Sequence, residues 1–237
     1  SGAGTTRFQG DVGQSVPLAR LTTDAGSGAT QFAGGTISSE VQEYGDALSL
    51  AGSAEFEGDD LTFHGQVTAS AESDITVEIH ADDEALFEQA ISDGTFKLSL
   101  VNSGAGQTTL RGINTYTGET EIEGGAFLLA AGAVLEGNST LEAGEVGGSG
   151  VFRGLVTQDG GVLEFGVPTG ILSVEASVDL ANDGELIVQI NGITPGSEHD
   201  QLRIWGANQT VELGEARLIV ARGFEPQIGD SFTIIDL

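Results

Sequence analysis

The chain has 237 residues, of which 37 are Gly, 4 are Pro and none is Cys or Met. Eight basic residues stand against 36 acidic ones, a net charge of −28. That field repels phosphate and so argues against nucleic acid or an anionic membrane surface as a partner. The absence of Cys rules out disulfides, thiolate nucleophiles and Cys-ligated metals.

Hydrophobic residues make up 39% of the chain, enough for a core and too many for a disordered segment. Gly without a G-X-Y period and with little Pro excludes collagen and Pro-rich linkers. No apolar run approaches the ~18 residues of a membrane helix, so no membrane insertion is expected within this segment. The chain starts at Ser1, which reads as a mature or excised product without its signal peptide.

From the N-terminus onward one phrase recurs, alternating apolar residues followed by Gly. It appears at Thr6-Arg7-Phe8-Gln9-Gly10, Thr30-Gln31-Phe32-Ala33-Gly34, Leu48-Ser49-Leu50-Ala51-Gly52 and Leu61-Thr62-Phe63-His64-Gly65. It returns at Thr108-Thr109-Leu110-Arg111-Gly112, Val162-Leu163-Glu164-Phe165-Gly166, Val188-Gln189-Ile190-Asn191-Gly192 and Leu202-Arg203-Ile204-Trp205-Gly206. Phe8 and Phe32, Phe32 and Phe56, Leu98 and Ile122, Leu128 and Phe152, and Leu141 and Phe165 are each 24 residues apart, and Leu98, Leu110 and Ile122 mark half-steps of 12.

A period in this range signals a solenoid, and period-two alternation makes its units strands. Short strands bury an inner face by stacking coil on coil, each pairing with its counterpart one coil on. The prediction is an all-β, right-handed parallel β-helix with about 24 residues per coil.

The phrase lapses between Ala69 and Asp93. There Asp82–Ile91 offers a candidate surface helix, with acidic residues at its start and the i,i+4 pairs Leu86/Ala90 and Phe87/Ile91, or else an irregular coil. The C-terminal stretch carries longer β runs, at Leu186–Ile190, Gln201–Trp205, Arg217–Ala221 and Ser231–Ile235. We read residues 1–237 as one solenoid domain, with a subregion boundary near 180 and 181–237 as a more irregular closing module. A polar or looped cover is expected at the C-terminal end, because an open sheet edge invites association.

Leu110, Gly112, Asn114, Thr115, Tyr116, Gly118, Thr120, Ile122 and Gly125 follow the order L-x-G-x-N-T-Y-x-G-x-T-x-I-x-x-G. This stretch resembles the autotransporter-associated β-strand repeat. Asn191–Gly196, Asp200-Gln201-Leu202, Gly223–Pro226 and Gly229–Phe232 are similar to the closing module of large bacterial surface proteins that carry such repeats. The resemblance implies a passenger-type β-helix displayed outside a bacterial cell, as an adhesin or a structural component, and supplies no catalytic residues.

The residues themselves give no catalytic, cofactor-binding or metal-ligating set. Asp59-Asp60 and Asp82-Asp83-Glu84 are the carboxylate clusters a glycoside hydrolase would need, but no basic or Gly-His-Gly phrase accompanies them. One lysine and seven arginines are too dispersed for a lyase. His64, His80 and His199 lack local ligand spacing, and Glu198-His199-Asp200 reads as a solvated turn. Asn138-Ser139-Thr140 and Asn208-Gln209-Thr210 read as turns, and Trp205 as cover for a strand face or a sugar-stacking residue.

The expectation is a non-enzymatic structural or adhesive module of an extracellular or bacterial cell-surface protein, with no cofactor beyond weak calcium binding. Its expected partners are other surface or matrix components, polysaccharide, or further copies of itself. The alternatives are a carbohydrate-active enzyme on the same fold and a calcium-stabilised binding module.

Overall fold

A computed structural model describes residues 4–166, 169–180 and 184–237. Among these residues there is no helix; every strand pairing inside the sheets is parallel, and the strands stack as a right-handed β-solenoid. Three stacks make the walls. A 16-stranded sheet supplies two of its faces, split by corners; a five-stranded sheet covers the N-terminal third on the remaining side, and a six-stranded sheet continues that side toward the C-terminus.

The registers define one unbroken outer column: Thr36, Glu55, Glu78, Val101, Glu121, Thr140, Thr157, Asp179 and Glu212. Its mean step is about 22 residues, close to the expected period. Individual coils vary. Phe8 pairs with Phe32 at the full 24-residue step, whereas Ala29 meets Ala47 after 18 and Leu141 meets Gln158 after 17. Toward the C-terminus the step lengthens, with Val178 opposite Val211 and Leu202 opposite Ile235, each 33 residues on. Corners and loops absorb these differences, because only the strand segments must stay in register. The ladders run past residue 180 without a break, while residues 181–183 lie outside the described residues.

The Asp82–Ile91 helix does not form. Ile75–Phe87 is a single strand, followed by a short strand at Ile91–Ser92. Ala81, Ala85 and Phe87 face inward and are buried, and the run pairs on both sides along the sheet. Ladder hydrogen bonds on both edges and burial of alternate residues outweigh a few i,i+4 contacts on a marginal ten-residue helix.

The core is one continuous cluster. Its N-terminal half is aromatic: Phe63 stacks on Phe87 at 4.3 Å and on Tyr44 at 5.0 Å, and meets Phe56 edge-on at 5.2 Å. Phe56 continues to Phe32 and Phe32 to Phe8, at 5.9 and 6.5 Å. Burial raises the Tyr44 phenol far above its usual pKa; its hydroxyl donates to Gln42 Oε1 at 2.7 Å. Gln42 Nε2 in turn donates to the carbonyls of Ile37 and Glu57, on neighbouring rungs.

The repeat-like segment shows what its residues do. Leu110, Tyr116 and Ile122 are fully buried. Asn114, also fully buried, accepts from Ile91 N–H at 2.9 Å and donates to the carbonyls of Arg111 and Val134, so one amide ties three successive coils. Tyr116 and Thr120 share a 2.7 Å hydrogen bond between their hydroxyls. Gly112 turns a corner with φ at 71°, a conformation that is cheap only for Gly. Gly118 lies so close to the carbonyl of Leu98 that a Cβ would collide with it.

Among the described residues no polar or looped segment covers the last rung of the long sheet. Among the described residues Arg217–Arg222 pairs with Glu185–Ile190 alone, and the counterparts of buried Leu186 and Val188, namely Leu218 and Val220, are 48% and 49% exposed. The loop from Gly223 onward returns to the side wall, where Phe224 and Phe232 pack on each other and Phe232 on His199.

Candidate functional site

Outward side chains of stacked strands form parallel columns, so residues one coil apart in sequence become lateral neighbours. On one face, Arg20, Val41, Asp60, Glu84 and Gln107 make such a column. Thr22, Glu43, Thr62, Leu86 and Thr109 make the next one. Between them lies a groove of about 390 Å³ lined by Arg20, Glu43, Asp60, His64 and Glu84. A second groove of about 380 Å³ shares Glu84 and extends along the same face past Gln107 and Arg111 to Leu128 and Ser149.

The two carboxylate clusters noted in the sequence are therefore brought side by side. Asp60 and Glu84 are register partners. A β-bulge between Gly58 and Asp60 separates Asp59 from its neighbour, and Asp59 lines a different, acidic hollow with Asp82, Glu40 and Glu57. Among the described residues no group of three or more His, Asp or Glu side chains is placed to hold a metal.

The groove's polar centre is a chain of charge. Arg20 Nη2 lies 2.8 Å from Glu43 Oε2; His64 Nε2 lies 3.4 Å from Glu43 Oε1, and His64 Nδ1 lies 2.9 Å from Glu88 Oε2. The hydrogen bonds from Arg20 and then His64 hold the Glu43 carboxyl below its ordinary value. His64 is raised above the ordinary 6.5, chiefly by its hydrogen bond to Glu88 and then by Glu43. Stability from this raised imidazole is fully present below 6.5 and is lost as the pH rises through the folded-state value. Its side chain is 37% exposed, so solvent screening keeps the contribution small. In a chemical-shift titration, His64 is expected to titrate above 6.5, and Glu88→Gln is expected to bring it down. An unchanged midpoint in the variant would contradict the pairing.

Other sequence candidates scatter. His80 Nδ1 sits 3.2 Å from Ser103 Oγ, well apart from His64's partners. His199 is buried, with Nδ1 donating to the Gly192 carbonyl at 3.2 Å and its ring edge-on to Phe232. The expected solvated turn at Glu198-His199-Asp200 is instead a buried fastening. Asp200 is fully buried and accepts from Gly170 N–H at 2.8 Å and Gln189 N–H at 2.7 Å, joining two rungs. Its desolvation raises its pKa despite those two bonds. Only Glu198 stays at the surface, accepting from Thr194 N–H.

Asn138 is not a free turn, because its side chain accepts from Leu155 N–H in the next coil. Asn208 is a turn residue, with φ at 64°. Trp205 is 51% exposed next to buried Ile204.

Sequence reasoning missed the groove because its members are one or more coils apart. Arg20, Glu43, His64 and Glu88 are separated by 23, 21 and 24 residues, and only the register aligns them. It also missed the lateral crowding of acids. Glu145 is raised by burial and by Glu164 on the next rung, and Glu121 by burial and by Glu119, Glu123 and Glu142. Arg153 relieves one such column by pairing with Glu136 at 2.6 Å and Glu175 at 2.9 Å, one rung to either side.

No protein-family model matches the chain, and no match was found among the curated proteins or the solved structures. The fold itself defines a parallel β-solenoid.

Proposed function

We propose that this chain is a structural or adhesive module of a secreted or cell-surface bacterial protein, acting as a stiff spacer with acidic lateral faces and no catalytic role. The observation that carries this reading is the unbroken outer column from Thr36 to Glu212, backed by one continuous core. A stack in which every rung is bonded to the next bends little. Its net charge of −28 keeps the lateral faces solvated and apart. The resemblance of the Leu110–Gly125 segment to passenger repeats supports display outside the cell. Partners of this module are surface or matrix components that meet its acidic walls.

Small-angle scattering in moderate salt should show a rod, and protease added to intact cells of the source should remove the chain. A compact scattering profile, or full protection in intact cells, would overturn the reading.

A second reading is favoured by one observation. The groove places the carboxylates of Asp60 and Glu84, which make no ion pair among the described residues, near Arg20 and the raised imidazole of His64, and these are the group types of a carbohydrate-active site. Release of reducing ends from a polysaccharide, abolished by Glu84→Gln, would make the enzyme reading the leading one.

A further inference from the structure

The outer walls of the solenoid differ in charge. The column from Thr36 to Glu212 carries five carboxylates in nine rungs and no base. The side built from the five- and six-stranded sheets is unlike it. One outer column there runs Gln31, Ser49, Thr68, Ser92 and Thr115, and continues into Glu136, Arg153 and Glu175. The column beside it has Ala29, Ala47, Gln66 and Ala90 on four rungs. Ile113, Val134 and Val151 follow on the next three. Ile113 stands beside Ala90 because Asn114 Oδ1 accepts from Ile91 N–H and Thr115 N–H donates to the Ile91 carbonyl.

From the rung of Ala29 and Gln31 to the rung of Ile113 and Thr115, these two columns hold no charged residue, in a chain with 36 acids. Beyond them Arg153 is bonded to Glu136 at 2.6 Å and to Glu175 at 2.9 Å, so the charges that do occur are largely balanced. The polar side chains bond along the wall. Thr68 Oγ1 and Ser92 Oγ lie 3.1 Å apart, Gln66 Nε2 donates to Ser92 Oγ at 3.1 Å, and Ser49 Oγ donates to Ser70 Oγ at 2.7 Å. Partners already in place lower the cost of taking these groups out of water. The apolar column is graded, with alanines in its first half and branched side chains in its second. Ile113, at the step between them, is 56% exposed.

We propose that this wall docks a second copy of the chain, laid side by side and antiparallel about a two-fold axis that runs along the strands at the Ala90–Ile113 step. That operation keeps each column facing itself and reverses the order of its rungs. Ile113 of one copy then lies against Ala90 of the other, Val134 against Gln66 and Val151 against Ala47. Each branched side chain meets a small or flexible one. Arg153 faces Ser49, whereas a parallel contact would set Arg153 against its own copy. Charge selects the wall: two copies meeting through the Thr36–Glu212 column would press carboxylate on carboxylate. Eight rungs at ~4.8 Å and strands about four residues wide hide about 900 Å² in the two copies together, the size of a weak, reversible contact. An isologous contact of this kind closes at the dimer. It goes beyond the proposed function and stands independently of it.

Sedimentation velocity of the full chain, from micromolar to millimolar and at rising salt, tests this. The expected result is a monomer–dimer equilibrium that strengthens as salt screens the acidic walls and does not grow past the dimer. Ile113→Asp should weaken the dimer at least about tenfold, since an unpaired carboxylate would be buried against an apolar column. Thr140→Asp, on the acidic column, should leave the dimer unchanged. Unchanged circular dichroism and melting serve as the folding check for both variants. Orientation is read from a nitroxide at Gln31→Cys, in a chain that has no other cysteine. In the antiparallel dimer the two labels are seven rungs apart across the sheet spacing, about 35 Å, and a parallel contact would bring them to about 10 Å. A monomer at every concentration and salt would overturn the proposal and leave the wall to a partner of another kind. So would a dimer indifferent to Ile113→Asp, labels at the shorter distance, or association beyond the dimer.

Discussion

Phe63→Ala is expected to destabilise the chain by about 3–5 kcal/mol, the cost of emptying a large buried aromatic site. Phe63 is 1% exposed and its ring is held on three sides, by Phe87 and Tyr44 in stacked contact and by Phe56 edge-on. None of these neighbours can collapse into the space without leaving its own ladder. The stack is quasi-one-dimensional, so the damage should be local at first, weakening the junction between the coils on either side. Denaturant unfolding followed by circular dichroism should show a lower midpoint. Hydrogen exchange should be fastest in Ala54–Phe63 and Ile75–Phe87, with the C-terminal coils still protected. Phe96→Ala, at a 41% exposed ring, should change stability by less than about 0.5 kcal/mol. Equal losses from the two substitutions would remove the aromatic column as the support of the N-terminal half.

Asn114→Ala is expected to cost about 3 kcal/mol although it deletes only a small side chain. It leaves the buried Ile91 N–H without its acceptor and takes a side-chain donor from the carbonyls of Arg111 and Val134. A buried polar group left unpaired costs about 1–3 kcal/mol, and partial entry of water tempers the sum. The melting temperature and the exchange rate of the Ile91 amide check this directly. If Asn114→Ala melts with the wild type and the Ile91 amide stays protected, Asn114 is not the tie between those coils.

Much of the fold was legible in the sequence, for a physical reason. Period-two alternation ending in Gly exists because inward residues must be apolar and corners must turn sharply, and both demands are local. Phe8 and Phe32 are true rung partners at the 24-residue step. The other 24-residue coincidences are not rung pairs: Phe32 pairs with Leu50, Leu128 with Gly147 and Leu141 with Gln158. Corners of unequal length shift the register without disturbing the alternation, so periodicity reveals the architecture but not which residues pair.

The helix expected over Asp82–Ile91 failed for a related reason. Its i,i+4 pairs are visible locally, while the two sheet edges that claim the segment come from sequence about 23 residues to either side. The groove was hidden in the same way, since Arg20, Glu43, His64 and Glu88 are ordinary surface residues until the coils stack. Glu198-His199-Asp200 was read as solvated because acidic turns usually are. Two backbone N–H donors aimed at Asp200 made its burial tolerable, and no local pattern announces them.

The most direct test of the account measures the spacing of the rungs. The chain has no cysteine, so nitroxide labels can be placed at Glu55→Cys and Asp179→Cys alone. These positions lie on one outer column, six steps apart through Glu78, Val101, Glu121, Thr140 and Thr157. At ~4.8 Å per step the backbones should be about 29 Å apart. Moving the second label to Thr140→Cys, four steps from Glu55, should shorten this to about 19 Å. Two narrow distance distributions differing by two rung spacings are the predicted result. Distances that fail to scale with the number of rungs, or that spread broadly, would contradict the parallel solenoid on which every other conclusion rests.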